Sequence, residues 1–477
     1  MKSLKFNQDN INYSTYQSPF SLRYGSEEMR KIWSEENKRL TWRKVWAELA
    51  KAQSKIGLIS KKELKDILEN QNNLDIKRSR EIEKEIYHDV MSEIKAFAEK
   101  AKIGGGKIHL GATSMDITDN ADIILTKQAL KIVKKRLKSL INSFAVKIEK
   151  YKNLTCMGYT HLQPAEPTTL GYRLSFYAQD LLIDLKFLKK IEELIKGKGI
   201  KGAVGTSASY KKLLSETKKT PSDLENEVMK NLGIEAIDIS GQTYPRKIDL
   251  LIIEVLVNIA ASLNKFNFDL RIMQSPQFGE WSEPRSSKRV GSSAMPFKKN
   301  PDKAEKVCSL CRYVSSFFSP AWANPAMSLL ERTLDDSAAK RIFLPESFLA
   351  IDECLKTTDD LVSGLTVFEK VVKNNLERYG LFSATESVMM EASKKGADRQ
   401  EMHELIRELS MQAWEEIQIG KLNPLKELIL KNKKIKKYLS EKEIERLLNP
   451  NDHIGNALEK TENFLKKIKP IAKTRII

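Results

Sequence analysis

Apolar residues recur at steps of three, four and seven along much of the chain, the period of an α-helix with one buried face. The stretches with this period cover 119–148, 168–196, 250–270, 302–320 and 338–362. Asp119, at the start of the first stretch, is a candidate N-cap. Alternating strand patterns of useful length are nearly absent. The patterning therefore predicts an all-α protein whose middle is a bundle of about five long helices.

Glycine and proline are concentrated in a few breaks that divide the chain. The segment IGGGKIHLGATS precedes the first long helix, and LNP and LNPND interrupt shorter helices expected after about residue 364. We predict three domains: an N-terminal helical domain, a central long-helix bundle and a C-terminal helical domain, covering 1–111, 112–364 and 365–477. The apolar stripes are wider than one bundle core needs, which predicts an oligomer.

Composition places the chain among globular proteins. It has 477 residues, of which 41% are hydrophobic and 30% charged, a balance unlike that of disordered chains. We find no apolar run long enough to span a bilayer, and the start, MKSLKFNQDNINYSTYQ, lacks the apolar core of a secretory signal. We therefore expect a cytoplasmic protein without a membrane partner.

The net charge of +18 raises nucleic-acid binding as a possibility. Lysines, however, are interleaved with glutamates at helical spacing, as in KRSREIEKEIYHD, which is typical of a solvated helix face. No zinc-finger, RRM or KH signature is present, so we expect no nucleic-acid partner. Two interpretations of the charge stay open: a field that gathers a polyanionic small substrate, and a helical structural or RNA-associated protein.

Four cysteines are present, and two of them form a CxxC at Cys308 and Cys311. A zinc site needs a second ligand pair, which this segment lacks. Three-residue spacing on a helix stacks two thiols on one face. We therefore expect buried, reduced cysteines, no metal and no organic cofactor.

Unusual polar residues lie in the breaks, at expected helix ends that favour anions. Thr113 and Ser114 offer two hydroxyls to a carboxylate, although N-capping alone explains them as well. His161 lies in a loop, where its near-neutral pKa suits a proton donor or a plain surface residue. His88 and Asp89 are either a helix-end cap or ligands of an anion.

The segment VGSSAMPFKKNP at 290–301 combines two serines, two lysines and an asparagine. A solvated basic loop is one interpretation. The other is a mobile loop built on Gly291 that approaches a ligand. A helical pattern beginning at Asp302 puts Lys298 and Asn300 at a helix N-terminus suited to anions.

The segment GSSAMPFKKNP resembles the signature of the fumarase/aspartase superfamily, whose members release fumarate by elimination. HLGATSMDITDNAD and MGYTHLQPAEPTTLGYR resemble the other two active-site segments of that superfamily, in the same order. The resemblance implies a three-domain helical subunit with a central long-helix bundle. It also implies a homotetramer whose active sites combine segments from three subunits.

Within the superfamily, SLRYGSEEMRKIWSEENK, ISGQTYPRKID and LERTLDDSAAKRIFLPESFLAID are similar to segments of the adenylosuccinate lyases. That resemblance implies a role in purine nucleotide biosynthesis, on the routes to AMP and IMP, without a cofactor. The expected substrates are adenylosuccinate, which gives AMP, and succinyl-aminoimidazole-carboxamide ribotide (SAICAR), which gives its carboxamide (AICAR). Argininosuccinate lyase, which shares the signature loop, is the alternative.

The same resemblance implies roles for individual residues. Ser292 is the expected base, His161 the acid, and Glu305 the residue that orients the histidine. Lys298 and Asn300 are expected to bind the carboxylate whose charge grows in the transition state. The remaining expected substrate-binding residues are Arg23, Tyr24, His88, Asp89, Thr113, Ser114, Thr160, Gln242, Arg332, Ser337 and Arg341.

Overall fold

A computed structural model describes residues 14–284 and 292–473. These residues form twenty α-helices, two single turns of 3₁₀-helix and two sheets of two short strands each. The all-α fold class is therefore confirmed. The N-terminal stretch expected to lack a secretory signal, up to residue 13, and Gly291 of the signature loop lie outside the described residues.

The helices fall into three runs along the chain. Those before residue 112 are α1 (Pro19–Leu22), α2 (Glu27–Ile32), α3 (Glu35–Lys55), α4 (Lys61–Asn70), α5 (Ile76–Ile86) and α6 (Asp89–Lys100). The middle run consists of α7 (Ser114–Tyr151), α8 (Leu170–Leu194), α9 (Ala208–Leu213), α10 (Pro221–Leu232), α11 (Lys247–Met273), α12 (Asp302–Ser316), α13 (Phe318–Ala326) and α14 (Asp335–Ser363). The last run consists of α15 (Glu369–Lys394), α16 (Arg399–Gln418), α17 (Leu425–Lys431), α18 (Lys433–Lys436), α19 (Glu441–Leu447) and α20 (Ala457–Lys473).

The long helices match the predicted stretches, but Asp119 is not an N-cap. Helix α7 begins five residues earlier, at Ser114. In its first turn, Asp116 accepts a hydrogen bond from the Thr113 N–H (3.0 Å), which satisfies a free donor at the helix start. Asp119 lies inside the helix and is 1% exposed. Its buried carboxylate is compensated by an ion pair with the buried guanidinium of Arg246.

Two further helix predictions need correction. The stretch at 302–320 is interrupted at Phe317, where Ser315 and Ser316 donate their hydroxyls to carbonyls three residues back and compete with the helix. The helices after residue 364 are not uniformly short, because α15 and α16 have 26 and 20 residues. Gly380 lies within α15, where a larger residue would not fit, because any Cβ there would lie 2.8 Å from Pro450.

The segment around His161, predicted as a loop, is a β-hairpin. Strand β1 (Thr155–Thr160) pairs antiparallel with β2 (Gln163–Thr169), with a bulge between Met157 and Tyr159. The sequence concealed this hairpin because Pro164, Pro167 and the bulge break the alternation that marks a strand. A second, smaller sheet pairs β3 (Trp281–Ser282) with β4 (Thr366–Val367).

The described residues divide into two compact units. The first holds those up to Lys135 together with Asp184–Ala261 and Leu310–Cys354. Its interior includes Glu93, fully buried between the guanidinium groups of Arg39 (2.8 Å) and Arg43 (2.7 Å).

The second unit holds Arg136–Ile183, Ser262–Ser309 and the described residues from Leu355 onward. Its core contains the rings of Phe144, Tyr177, Phe266 and Trp281, and the centroids of contacting rings lie 5.1 to 6.3 Å apart. A separate apolar cluster joins α15 to α19. The three-domain division stays a prediction. No helix in the described residues combines the length and the apolar character that crossing a bilayer requires.

Candidate functional site

The candidate residues fall into two sets, one in each compact unit. The set in the first unit consists of Arg23, Tyr24, His88, Asp89, Thr113, Ser114, Gln242, Arg332, Ser337 and Arg341. The set in the second unit consists of Thr160, His161, Ser292, Lys298, Asn300 and Glu305.

The turn that carries Arg23 and Tyr24 is fastened to α14 through main-chain hydrogen bonds. The Gly25 N–H donates to Glu353 (3.3 Å), and the Ser26 N–H donates to Asp352 (2.6 Å). Gly25 has φ +79°, and a Cβ there would lie 2.9 Å from Leu349, so the close approach requires glycine. The Arg23 side chain is left exposed, available to an anion.

Helix α14 also carries Ser337 and Arg341 near its start. The guanidinium of Arg341, although 63% exposed, donates to the Asp89 carboxylate at 2.8 Å. Asp89 is the first residue of α6, and His88 is its N-cap, with Nδ1 accepting from the Met91 N–H at 3.3 Å. The structure shows His88 as the cap, a role that is compatible with contact to an anion. The contacts bring His88, Asp89 and Arg341 together.

Arg332 has an unusual set of partners. Its Nε donates to the Thr333 carbonyl (2.6 Å), and its Nη2 lies 3.8 Å from Asp336. Its Nη1 is buried, and among the described residues it has no hydrogen-bond acceptor. The Gln242 N–H donates to the carbonyl of Glu331, the residue before Arg332, so Gln242 and Arg332 belong to adjoining loops. A buried guanidinium with an unused donor is suited to an anionic oxygen.

Arg246 ties these loops to the long helices. Its guanidinium pairs with Asp119 on α7 (3.2 Å) and with Asp336, the neighbour of Ser337, at 2.5 Å. Burial by itself lowers the pKa of Arg246, but Asp119 and the other carboxylates around it outweigh that effect and raise the pKa well above its ordinary value. Arg246 therefore remains charged and holds the start of α14 beside α7.

Thr113 and Ser114 form the turn that starts α7. Both are half-buried, and within the described part of the chain neither hydroxyl makes a hydrogen bond. N-capping by these hydroxyls, the plainer interpretation, is therefore not what the structure shows. The cap is instead made by Asp116, which leaves two hydroxyls at a helix N-terminus for a ligand carboxylate.

Asp116 is a residue that the sequence interpretation missed. It is fully buried and accepts hydrogen bonds from the ammonium of Lys198 and from the N–H groups of Lys201 and Gly202, both at 3.1 Å. Lys198 is fully buried as well. The signal was present in the spacing T-x-x-D at a helix start and in a lysine between two glycines. The pair fastens the turn at Thr113 to the loop at 198–202.

His109, in the same break, was also passed over. The indole N–H of Trp46 donates to its Nδ1 at 3.0 Å, so the ring is neutral with its proton on Nε2. Burial lowers the pKa of His109 to about 4. Its φ of +71° places it in the left-handed region, which is uncommon for a residue other than glycine.

In the second unit, His161 and Leu162 form the two-residue tip of the hairpin. Their φ angles are +53° and +61°, the left-handed pair of a type I′ turn, for which Asn-Gly is the usual sequence. Both side chains are exposed, as is Thr160. His161 and Arg173 help to line a cavity of about 450 Å³. Strained backbone at a histidine on a hairpin tip makes His161 a candidate functional residue.

The described part of the signature loop begins at Ser292. Its Oγ accepts hydrogen bonds from the N–H groups of Ala294 (3.3 Å) and Met295 (3.0 Å). Hydrogen bonds donated to an oxygen favour its anionic form. Lys298 is exposed, and Asn300 is half-buried just before α12.

Glu305 lies in the first turn of α12, with its carboxylate 3.9 Å from the guanidinium of Arg271. Among the described residues, no hydrogen bond joins Glu305 to His161. The structure therefore does not bring together these two residues of the expected catalytic set.

The four cysteines are buried and none is in a disulfide, as expected. Burial raises the pKa of the Cys156 thiol to about 11. Cys311 lies 3.9 Å from Cys354, sulfur to sulfur. Residues 14–284 and 292–473 contain no group of three or more His, Cys, Asp or Glu side chains arranged to hold a metal ion.

Comparison with known proteins places this geometry in context. Residues 21–315 match the family model described as lyase, and residues 382–464 match the model described as adenylosuccinate lyase C-terminus. The chain is 37% identical over 461 residues to the adenylosuccinate lyase of Saccharomyces cerevisiae, covering 95% of each chain. It is 37% identical over 452 residues to that of Pyrococcus abyssi, covering 94% of this chain and 97% of the relative.

Solved structures show the same fold at lower identity. The 3-carboxy-cis,cis-muconate lactonizing enzyme from Pseudomonas putida superposes with a TM-score of 0.84 at 21% identity, over 95% of this chain and 99% of that one. A fumarate lyase from Mesorhizobium sp. BNC1 gives 0.82 at 22% identity, with the same coverage.

Proposed function

Because the chain belongs to the adenylosuccinate lyase family, we propose that it releases fumarate from adenylosuccinate, giving AMP, and from SAICAR, giving AICAR. Both substrates carry a succinyl group on a nitrogen and a phosphate on a ribose. Within the site, the observation that supports the proposal most directly is the hydrogen bonding of Ser292. Two main-chain N–H groups point at its Oγ, at 3.0 and 3.3 Å.

Those two donors matter because the base is the serine alkoxide. A free serine hydroxyl is far too weak an acid to give up its proton and form that alkoxide at neutral pH. An alkoxide at Ser292 gains from both N–H groups, from the start of α12 and from the ammonium of Lys298. In the reaction, Ser292 takes a proton from the carbon beside one succinyl carboxylate. The negative charge spreads into that carboxylate, which Lys298 and Asn300 bind.

The bond between carbon and nitrogen then breaks, and its electron pair stays on the nitrogen. The electron pair left on the carbon forms the C=C bond of fumarate, and His161 supplies the proton that the nitrogen takes up. The nitrogen product is the amino group of AMP or the carboxamide of AICAR. The exposed position of His161 on a two-residue hairpin tip supports this role, because the ring is free to meet a substrate. We assign Glu305 to orienting that histidine in the assembled enzyme.

The first unit supplies the proposed binding groups. Thr113 and Ser114 suit the second succinyl carboxylate, since their hydroxyls are unused and lie at a helix start. Gln242 and Thr160 are assigned to the same succinyl group. The unused N–H of Arg332 suits the phosphate, and the remaining groups assigned to the nucleotide are Arg23, Tyr24, His88, Asp89, Ser337 and Arg341.

We infer that four copies assemble and share active sites. An elimination through a serine alkoxide needs a dry site, whereas His161 and Lys298 are exposed in a single copy. Apolar side chains are also exposed on long helices, including Val146, Phe176 and Ile183. Four chains of 54.5 kDa give about 218 kDa, a mass that light scattering after gel filtration measures. We expect the enzyme to act in the cytoplasm, without a nucleic-acid partner.

The direct test is incubation of the purified protein with adenylosuccinate, with fumarate and AMP as the readout. We expect equimolar release of both products, and none from argininosuccinate. Ser292→Ala and His161→Gln should each lower kcat by a factor of about a thousand or more. The matched control is Ser293→Ala, the neighbouring serine, which should retain kcat within about threefold. Near-normal turnover in either site variant would refute its assigned role.

A further inference from the structure

Two buried carboxylates lie three residues apart in the segment Glu280–Glu283. Glu280 is 0% exposed and Glu283 is 2% exposed. No catalytic role proposed above uses either residue. Each contacts a different catalytic segment of the second unit, so this segment, called the brace below, joins the two.

Glu280 holds the hairpin that carries His161. Its Oε2 accepts from the guanidinium of Arg173 (3.1 Å), and its Oε1 accepts from the hydroxyl of Tyr159 (3.4 Å) and from Asn375 (3.1 Å). Arg173 donates its other terminal nitrogen to the carbonyl of Met157 in β1. The stem of the hairpin is thus bonded to Glu280 directly and through Arg173.

Glu283 holds the distal end of the signature loop. Its Oε1 accepts from the N–H of Ala304 (2.7 Å), in the first turn of α12, where a carboxylate also complements the helix dipole. Gln274 adds a second link, because it accepts from the Glu283 N–H (3.0 Å) and donates to the Lys299 carbonyl (2.9 Å). Lys298 and Asn300 lie directly beside these anchored positions.

The brace itself is fixed in the core. Trp281 is fully buried and stacks on Phe266, with 6.0 Å between ring centroids. The Phe368 N–H donates to the Glu280 carbonyl (2.8 Å), and β3 pairs with β4 beside it. A shift of the brace would therefore require repacking of the core, so the core fixes the positions of the Glu280 and Glu283 carboxylates.

We propose that Glu280 and Glu283 are positioning residues for the elimination. Glu280 holds the hairpin so that His161 meets the leaving nitrogen, and Glu283 holds the start of α12 so that Lys298 and Asn300 meet the carboxylate. This inference rests on the proposed function. Neither residue touches the reacting atoms in it.

The test compares Glu280→Gln and Glu283→Gln with the full-length wild-type protein, with adenylosuccinate as the substrate. We expect each variant to lower kcat by about 10- to 100-fold, the cost of a misplaced catalytic group, with KM changed less than about threefold. In Glu280→Gln the alkaline limb of the kcat profile should move to lower pH. The reason is that Arg173, without its counter-charge, disfavours a protonated His161 beside the shared cavity. The other charged residues that line this cavity, Lys265 and Asp269, are paired with each other at 2.7 Å. In Glu283→Gln that limb should stay in place.

The matched control is Asp359→Asn in the same unit. The Asp359 carboxylate accepts from the hydroxyls of Ser139 (2.7 Å) and Ser143, none of which belongs to the candidate site. We expect this variant to lose stability without changing kcat or its pH profile. A Glu280→Gln variant that keeps the wild-type kcat and pH profile would overturn the proposal.

Hydrogen exchange provides a readout that does not need activity. Glu280→Gln should speed exchange in peptides from 155–163 and spare those from 302–306, whereas Glu283→Gln should do the reverse. Uniform acceleration in both regions for both variants would indicate general destabilisation and refute specific positioning. A wild-type protein that releases no fumarate would refute the proposed function. The exchange pattern would still show whether Glu280 and Glu283 hold the hairpin and the start of α12.

Discussion

The Lys198 ammonium and the Asp116 carboxylate form an ion pair from which solvent is fully excluded, since both residues are 0% exposed. Removing one partner of such a pair leaves an uncompensated buried charge. We expect Lys198→Met to lower the free energy of unfolding by about 3 to 5 kcal/mol. The midpoint of thermal unfolding, measured at one protein concentration, checks this value.

A surface pair of the same chemistry is the control for Lys198. Lys190 and Glu193 are 72% and 65% exposed and lie 2.9 Å apart. Lys190→Met should cost less than about 1 kcal/mol, because exposed pairs contribute little. Equal losses in the two variants would contradict the importance of the buried pair.

The half-buried, neutral His109 makes stability depend on pH. Its pKa is about 4 in the folded protein against an ordinary value of 6.5, so between these values the unfolded chain binds the extra proton. The contribution of His109 is therefore fully present above pH 6.5 and is lost as the pH falls towards 4. It amounts to at most about 3 kcal/mol.

Thermal midpoints measured between pH 7.5 and pH 5 test the effect. We expect the wild type to lose more stability over this range than His109→Asn, because the variant has no titrating group at this position. Parallel curves for the two proteins would show that other groups account for the pH dependence.

The long helices were predictable because their apolar period persists over many turns, and Asp302 marks the start of α12 as expected. The hairpin at His161 was not, because its prolines and its bulge hide the alternation of a strand. The carboxylate that holds its stem, Glu280, lies 121 residues from Tyr159. Asp116 and Glu280 were missed for a related reason. A buried carboxylate is identified by its partners, which lie 82 residues away for Asp116 and 107 for Glu280.

The hairpin tip predicts an unusual response to glycine. Leu162 has φ +61° and is 60% exposed, so its side chain contributes little packing while its backbone is strained. We expect Leu162→Gly to raise the free energy of unfolding by about 0.5 to 1 kcal/mol. Unfolding by urea with a constant m-value measures the change.

The matched control for Leu162 is Met411, a comparably exposed apolar residue (51%) inside α16. There the same kind of substitution places glycine in a helix interior, so Met411→Gly should lower stability by about 0.5 to 1 kcal/mol. Opposite signs in the two variants would locate the strain at the tip. A loss of stability in Leu162→Gly would contradict it.

The unused donor of Arg332 makes a prediction about ligand binding. In the ligand-free protein its buried Nη1 is unsatisfied among the described residues, which costs stability that an anionic oxygen would recover. Arg332→Met removes that unsatisfied donor together with the Nε bond to Thr333 (2.6 Å), so the two losses offset. We therefore expect the stability of the ligand-free variant to change by less than about 1 kcal/mol.

The response to AMP should change far more. A charged hydrogen bond to a phosphate contributes about 1.5 to 3 kcal/mol, so Arg332→Met should weaken AMP binding by about 10- to 100-fold. Thermal unfolding across a series of AMP concentrations measures this, since ligand binding to the folded state raises the midpoint. Arg407→Met, which disrupts an exposed pair with Glu404, should keep the wild-type response. An unchanged AMP response in Arg332→Met would exclude Arg332 as a phosphate ligand. The buried Nη1 would then donate no hydrogen bond to the phosphate of AMP.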